Sequence, residues 1–305
     1  MYYPIIKAKR HELNAVAALS SRLLFSKFRP VIEPVNSSLS DLTKAIDVLA
    51  GNSNIPLVVI NPAQGDFKSS SSVGLFSTLQ SNPLSKGKFL PCVKVKDSSD
   101  VAALNLLASM PYAAVYLESD LSLASVPVVA GRPCVLVNEQ KIDPAVLTSL
   151  GSVVIYADSF AKKKRNADYG ASSFYSSSHV SYRSKPNVVG FGDFTIVEEE
   201  FSGNGGPAYV VAIHVSHIDL SSPYSMYVRH FCSTTGTTNT ANLAGKYMEA
   251  LRDFVLFDSA NPGFFYRTEG VLEFHGYYSA GHFPGLGVVK EMSIKHHIET
   301  ICNYI

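Results

Sequence analysis

Hydrophobic and polar positions fall into two textures along the chain. Through the first two-thirds, apolar runs of strand length recur at 4–9, 29–35, 56–61, 89–96, 113–118, 134–138, 153–158 and 188–194. Each is rich in β-branched or aromatic residues and reads as a strand buried on both faces. Helical spacing fills several intervals: Leu13, Val16, Ala17, Leu19 and Leu23 within 12–24, and Val101, Leu104 and Leu107 within 100–110. Ser40 heads a stretch carrying Leu42, Ala45, Ile46 and Leu49, the pattern of a capped helix. The intervals 120–131 and 140–151 are short and predict degenerate helices, and Gly51, Gly87, Gly131 and Gly151 mark returns of the chain. Parallel neighbours need crossover segments of this kind, and eight strands are the number that closes a (β/α)8 barrel. An open doubly wound sheet competes, but no glycine-rich dinucleotide fingerprint follows the first strand. The barrel is favoured.

After residue 197 the period changes. Segments 209–217 and 225–233 alternate with period two and predict an antiparallel hairpin. Leu243, Tyr247, Leu251 and Phe254 form one helical stripe over 241–255, and 291–304 reads as a closing helix. The serine-rich 172–178 suggests a long mouth loop after the seventh strand. No Pro/Gly-rich linker divides the chain. The expectation is therefore one α/β domain over 1–305: a TIM-barrel-like core, 1–197, and a C-terminal α+β elaboration, 198–305, packed on it.

Composition narrows the class. A hydrophobic fraction of 46% excludes a disordered chain, and 26 basic against 25 acidic residues exclude a polyanion-wrapping protein. Cys92, Cys134, Cys232 and Cys302 lie far apart with no CxxC pair, so neither a zinc ribbon nor a disulfide scaffold is expected. The N-terminus lacks a signal-peptide pattern, and no apolar run approaches a membrane span. A cytoplasmic protein without membrane association is expected.

Candidate chemistry gathers where the apolar runs end. Lys9, Glu33, Asn61, Lys94, Lys96, Glu118, Asn138, Asp158 and Asp193 stand at or near those ends. In a closed parallel barrel they would converge on the C-terminal mouth, where barrel enzymes build their sites. The plain alternative is that strands end in polar residues because the chain is leaving the core. His214 and His230 fall in the hairpin, and His296 with His297 in the last helix. None has zinc spacing, so packing or capping roles are expected and no metal is assigned. Lys162-Lys163-Lys164-Arg165 is the one dense basic run, a solvated loop before it is a nucleic-acid contact. Gly203-Asn-Gly-Gly206 and Gly285-Leu-Gly287 read as turns; P-loop and GxSxG patterns are absent. No cofactor is indicated.

The opening Tyr3-Pro-Ile-Ile-Lys-Ala-Lys9, with Arg29-Pro-Val-Ile-Glu33-Pro-Val, resembles the phage and bacterial "beta protein" superfamily. Asn166-Ala-Asp-Tyr169, Gly190-Phe-Gly-Asp193-Phe, Gly205-Gly-Pro-Ala-Tyr-Val-Val-Ala-Ile-His214, His230-Phe-Cys-Ser233, Lys246-Tyr-Met-Glu249-Ala and Gly285-Leu-Gly with Lys290 and His296-His297 resemble its uncharacterised bacterial "sce" branch. Gly192 stands where that motif leads one to expect Ser. The resemblance implies a bacterial or phage-borne protein, often encoded beside mobile elements or defence genes and next to a companion open reading frame, and it carries no settled reaction. Anti-phage defence with a co-encoded effector as partner is the expectation.

Together these readings predict a mouth that binds or processes a phosphorylated small molecule or nucleotide. Lys9 and Lys96 would bind the anion with Asn61, Lys94, Glu118 and Asn138 around it. Glu33 and Asp158 would act as acid and base, oriented by Asp193 and His214. The alternatives are a non-enzymatic sensor or effector partner and, more weakly, nucleic-acid binding through 162–165.

Overall fold

The computed structural model describes residues 1–68, 72–201, 203, 208–221 and 223–305. With strands numbered in chain order, β1 (Tyr2–Lys7), β2 (Val31–Glu33), β3 (Leu57–Val59), β4 (Leu90–Val95), β5 (Ala114–Leu117), β6 (Val135–Asn138), β7 (Val153–Ala157) and β9 (Val188–Asp193) pair in parallel and close into a barrel; β8 (Ser172–Ser176) belongs to a second sheet. Each predicted apolar run supplies one barrel strand. The open-sheet alternative fails because β9 pairs with β1, Tyr2 opposite Phe191 and Tyr3 opposite Gly192.

That last pairing depends on two glycines. A Cβ on Gly192 would lie 2.4 Å from the Tyr3 carbonyl oxygen, and one on Gly190 would lie 2.8 Å from the Met1 carbonyl oxygen. Neither distance is tolerable for backbone, so only glycine lets β9 approach β1 closely enough to close the ring. A serine at 192 would meet the same obstruction.

The crossovers carry α1 (Arg10–Leu19), α2 (Ser40–Gly51), α3 (Leu75–Ser81), α4 (Val101–Ser109), α5 (Val126–Val129), α6 (Pro144–Ser149) and α7 (Ser178–Ser181). The α1 helix stops at Leu19, short of the predicted end, and the Ser20 hydroxyl folds back onto the Ala17 carbonyl at 2.7 Å. Ser40 is the first helical residue and makes no side-chain cap, whereas Asp100 caps α4 by accepting from the Ala103 amide at 3.1 Å. The two short intervals hold the single-turn α5 and the six-residue α6.

The chain divides into two compact units. One comprises Met1–Asp158 and Ser178–Phe194; the other comprises Ser159–Ser177 and Thr195–Ile305. The serine-rich segment predicted as a mouth loop thus belongs to the second unit, and Ser172–Ser176 is a strand rather than a loop. It pairs antiparallel with β11 (Met226–Cys232), which pairs antiparallel with β10 (Ala212–Ile218), giving the order β10-β11-β8. A polar strand survives there because its backbone satisfies the open edge of β11.

The second unit also holds α8 (Leu243–Ala260), α9 (Glu269–Ala280) and α10 (Leu286–Tyr304). Ile213, Val215 and Phe231 of the sheet share a core with Tyr247, Leu251, Phe254, Val271, Phe274 and Met292 of these helices. The predicted turn 203–206 lies outside the described residues except for Gly203. Among the described residues no helix is long and apolar enough to cross a membrane.

His296 is wholly buried and serves the core. Its Nε2–H donates to the Ser216 carbonyl at 2.6 Å, while Nδ1 accepts from the Thr268 hydroxyl at 2.7 Å. Burial pushes its pKa down to about 4 from the ordinary 6.5. The unfolded chain therefore takes up this proton first as pH falls, so stability is full above the ordinary value and declines toward the folded one. Between pH 7.5 and 4.5 the denaturation midpoint should drop, with His296 alone contributing on the order of 3 kcal/mol. A midpoint unchanged over that interval would show that His296 is protonated without penalty.

Candidate functional site

Side chains that cross the barrel interior are identified by contacts between strands that are not neighbours. Lys94 of β4 reaches Glu33 of β2, its Nζ 3.0 Å from Oε1, and the Tyr116 ring of β5 lies 4.9 Å from Tyr156 of β7. Because all eight strands run parallel, residues at their C-terminal ends share one rim. The polar centre at that rim is a chain of alternating charge. Lys7 Nζ stands 2.5 Å from Glu33 Oε2, Lys94 bridges Glu33, and Lys94 also reaches Glu118 Oε1 at 2.7 Å. Aromatic faces wall the ammonium groups: Lys7 lies 5.7 Å from the Phe194 ring centre and Lys94 5.2 Å from that of Tyr116.

Local structure places each member. Lys7 ends β1 directly opposite Glu33, which ends β2. The Lys7 amide donates to the buried Glu12 carboxylate of α1 at 2.8 Å, pinning the strand end. The Asn61 amide exchanges two hydrogen bonds with the Lys94 backbone, at 2.7 and 2.8 Å, and so extends the sheet beyond β3. It holds Lys94 in place; it is not a free ligand group.

Charge follows from burial. The Glu33 side chain is 0% exposed, which would raise its pKa, but Lys94 and Lys7 overcome that and hold the carboxyl below its ordinary range. Burial would likewise lower the Lys94 pKa; Glu33 and then Glu118 reverse this and keep the ammonium protonated above its ordinary value. A carboxylate clamped by two ammonium groups is a poor proton acceptor, and a stabilised ammonium is a poor nucleophile. The arrangement holds cations at fixed positions.

The predicted residues divide accordingly. Glu33, Lys94 and Glu118 come together, with Asn61 behind Lys94. Lys9 is half-buried just past β1, and Lys96 is exposed beyond β4. Asn138 is buried at the end of β6, where its side chain accepts from the Gln140 amide at 3.0 Å. Asp158 is half-buried after β7, on the face of Tyr156 by strand periodicity. Asp193 departs from expectation. It pairs opposite Pro4, out of phase with the inward Lys7, and accepts from the Tyr2 hydroxyl at 2.6 Å. Its carboxylate lies on the outer side of the barrel wall and does not orient Glu33. His214 belongs to the second unit, where its Nδ1 is 2.8 Å from His230 Nδ1.

Lys7 is the central residue that strand-end reasoning passed over. Its signal was present: period two sets it on the same strand face as Lys9. Among the described residues no group of three or more His, Cys, Asp or Glu side chains is placed to hold a metal ion. Comparison with protein-family models, curated proteins and solved structures gives no match.

Removing the shared carboxylate leaves two buried ammonium groups facing each other. Glu33→Gln should destabilise the protein by about 3–5 kcal/mol in urea denaturation. Lys96→Gln, which alters only an exposed side chain, should change stability by less than about 0.5 kcal/mol. Equal effects from the two variants would show that the Lys7–Glu33–Lys94 chain does not hold the rim together.

Proposed function

We propose that the C-terminal rim of the barrel binds a small phosphorylated metabolite or nucleotide through Lys94 and Lys7. The observation that carries this reading is the uneven burial of the two carboxylates that share Lys94. Glu33 is 0% exposed and fixed, whereas Glu118 is 30% exposed at the solvent side. An anion arriving from water meets Lys94 by exchanging with Glu118, and Glu33 keeps both ammonium groups in position. Lys9 and Lys96, at the same ends of β1 and β4, add positive charge for steering.

In this reading Glu33 positions the cations and does not move protons. Asp158, at the end of β7, is the carboxylate assigned to acid or base chemistry on the bound ligand. The resemblance to the beta protein superfamily supports placing such a ligand in anti-phage defence, alongside a co-encoded effector. The nucleic-acid alternative loses ground: in the basic run, Lys162 pairs with Glu198 and Arg165 pairs with Asp168, so two of the four charges are compensated.

Calorimetric titration with inorganic phosphate and pyrophosphate tests the exchange. Glu118→Gln removes the competing charge and should tighten binding about fivefold, equivalent to about 1 kcal/mol. Lys94→Gln should abolish binding in protein that remains folded. Wild type and Glu118→Gln both failing to bind either anion would overturn the proposal.

A further inference from the structure

The second unit holds a hydrogen-bonded constellation of its own. Ser173 of β8, His230 of β11 and His214 of β10 lie in a row across the three-stranded sheet. His214 and His230 are directly opposed in the β10–β11 register, and Ser173 opposes Val228, which shares a strand face with His230. The row is hydrogen-bonded from end to end: Ser173 Oγ is 2.9 Å from His230 Nε2, and His230 Nδ1 is 2.8 Å from His214 Nδ1. The residues of opposite parity, Ile213, Val215 and Phe231, face the helical core. The row therefore lies on the other face of the sheet. There the Tyr169 ring centre is 4.8 Å from that of His214 and 4.4 Å from that of His230, and Phe160 lies 5.2 Å from His214.

Two imidazoles joined nitrogen to nitrogen need one proton between them. When that proton sits on His230 Nδ1, His214 accepts it, and the lone pair of His230 Nε2 points at the Ser173 hydroxyl. Burial keeps both rings neutral: the His214 pKa falls to about 3, with His230 adding to the effect, and burial and then Lys163 lower that of His230 to about 4. In that tautomer the base nitrogen keeps its lone pair throughout the neutral range. Ser173 itself is half-buried, on a strand whose neighbouring Ser172 and Phe174 are exposed.

We propose that Ser173 is an activated nucleophile, with His230 as its general base and His214 as the positioning residue, in a site for hydrolysis of carboxylic esters. The geometry supplies a base nitrogen on the serine hydroxyl and a third group that, as acceptor of the shared proton, holds that base in the productive tautomer. Ser173 Oγ bonds to the ester carbonyl carbon as its proton passes to His230 Nε2. The C–O bond to the alcohol then breaks, and His230 returns the proton to the departing oxygen. Water adds to the acyl-serine carbon with His230 taking its proton, the bond to Oγ breaks, and the same proton restores the Ser173 hydroxyl.

A fluorophosphonate probe reports the first step directly, since Ser173 Oγ displaces fluoride at phosphorus. On the full-length chain, mass spectrometry should locate the label on Ser173, and Ser173→Ala should abolish it. His230→Ala should label at least tenfold more slowly and recover when imidazole is added to the solution, a rescue that a purely structural histidine would not show. His214→Gln, which loses the ring packed on Tyr169 and Phe160, should slow labelling in protein that remains folded. p-Nitrophenyl acetate should give a burst of one nitrophenolate per chain in wild type and none in Ser173→Ala. Folded wild type left unlabelled at Ser173, or labelled at the same rate in His230→Ala, would overturn the proposal. The wild-type measurement decides even if a histidine variant does not fold.

Discussion

Closure of the β9–β1 seam is the constraint on which the rest of the first unit depends. A parallel sheet of eight strands left open would expose two edges and scatter its strand ends along a line. Closed, it has no edge and gathers those ends on one rim. The seam forms because Gly190 and Gly192 present no Cβ to the backbone of Met1 and Tyr3. Once the ring is shut, side chains from non-adjacent strands meet across the interior, and this brings Glu33 to Lys94 and Tyr116 to Tyr156.

The polar chain at the rim shows how burial assigns chemical roles. Taking an isolated ammonium or carboxylate out of water is prohibitive, so the buried members are tolerable only as an alternating set. That same condition removes Glu33 from proton transfer and makes Lys94 a permanent cation. Glu118, the one member with substantial contact with water, is the point at which the set can exchange a partner. In the second unit burial acts in the opposite sense. It keeps His214 and His230 neutral, and a neutral imidazole is available to a neighbouring hydroxyl as a hydrogen-bonding partner rather than as a charge.

Several features were not legible along the chain, each for a physical reason. Ser172–Ser176 has no apolar alternation because it is a strand by virtue of the β11 edge, not of its own side chains. The α9 helix, EGVLEFHGYYSA, mixes glycine and aromatic residues, which blurs the helical period; its place against α10 stabilises it. Lys7 was masked by sitting inside an apolar run. Asp193 was misread because the end of a strand does not reveal phase: a shift of one residue turns a side chain from the barrel interior to its outer wall.

What the amino-acid order determined by itself was the list of parts. Strands buried on both faces must be continuously apolar, so eight such runs with crossovers between them specified a parallel barrel and the residues at its strand ends. The hairpin and two of the three long helices of the second unit were legible from their periods in the same way. Which strand ends meet was decided only by the tertiary structure. Facing direction, register and the separation of two compact units are relations between distant segments. Residues 7, 33, 94 and 118 become one charge chain, and residues 173, 214 and 230 another row, only when strand pairing fixes those relations.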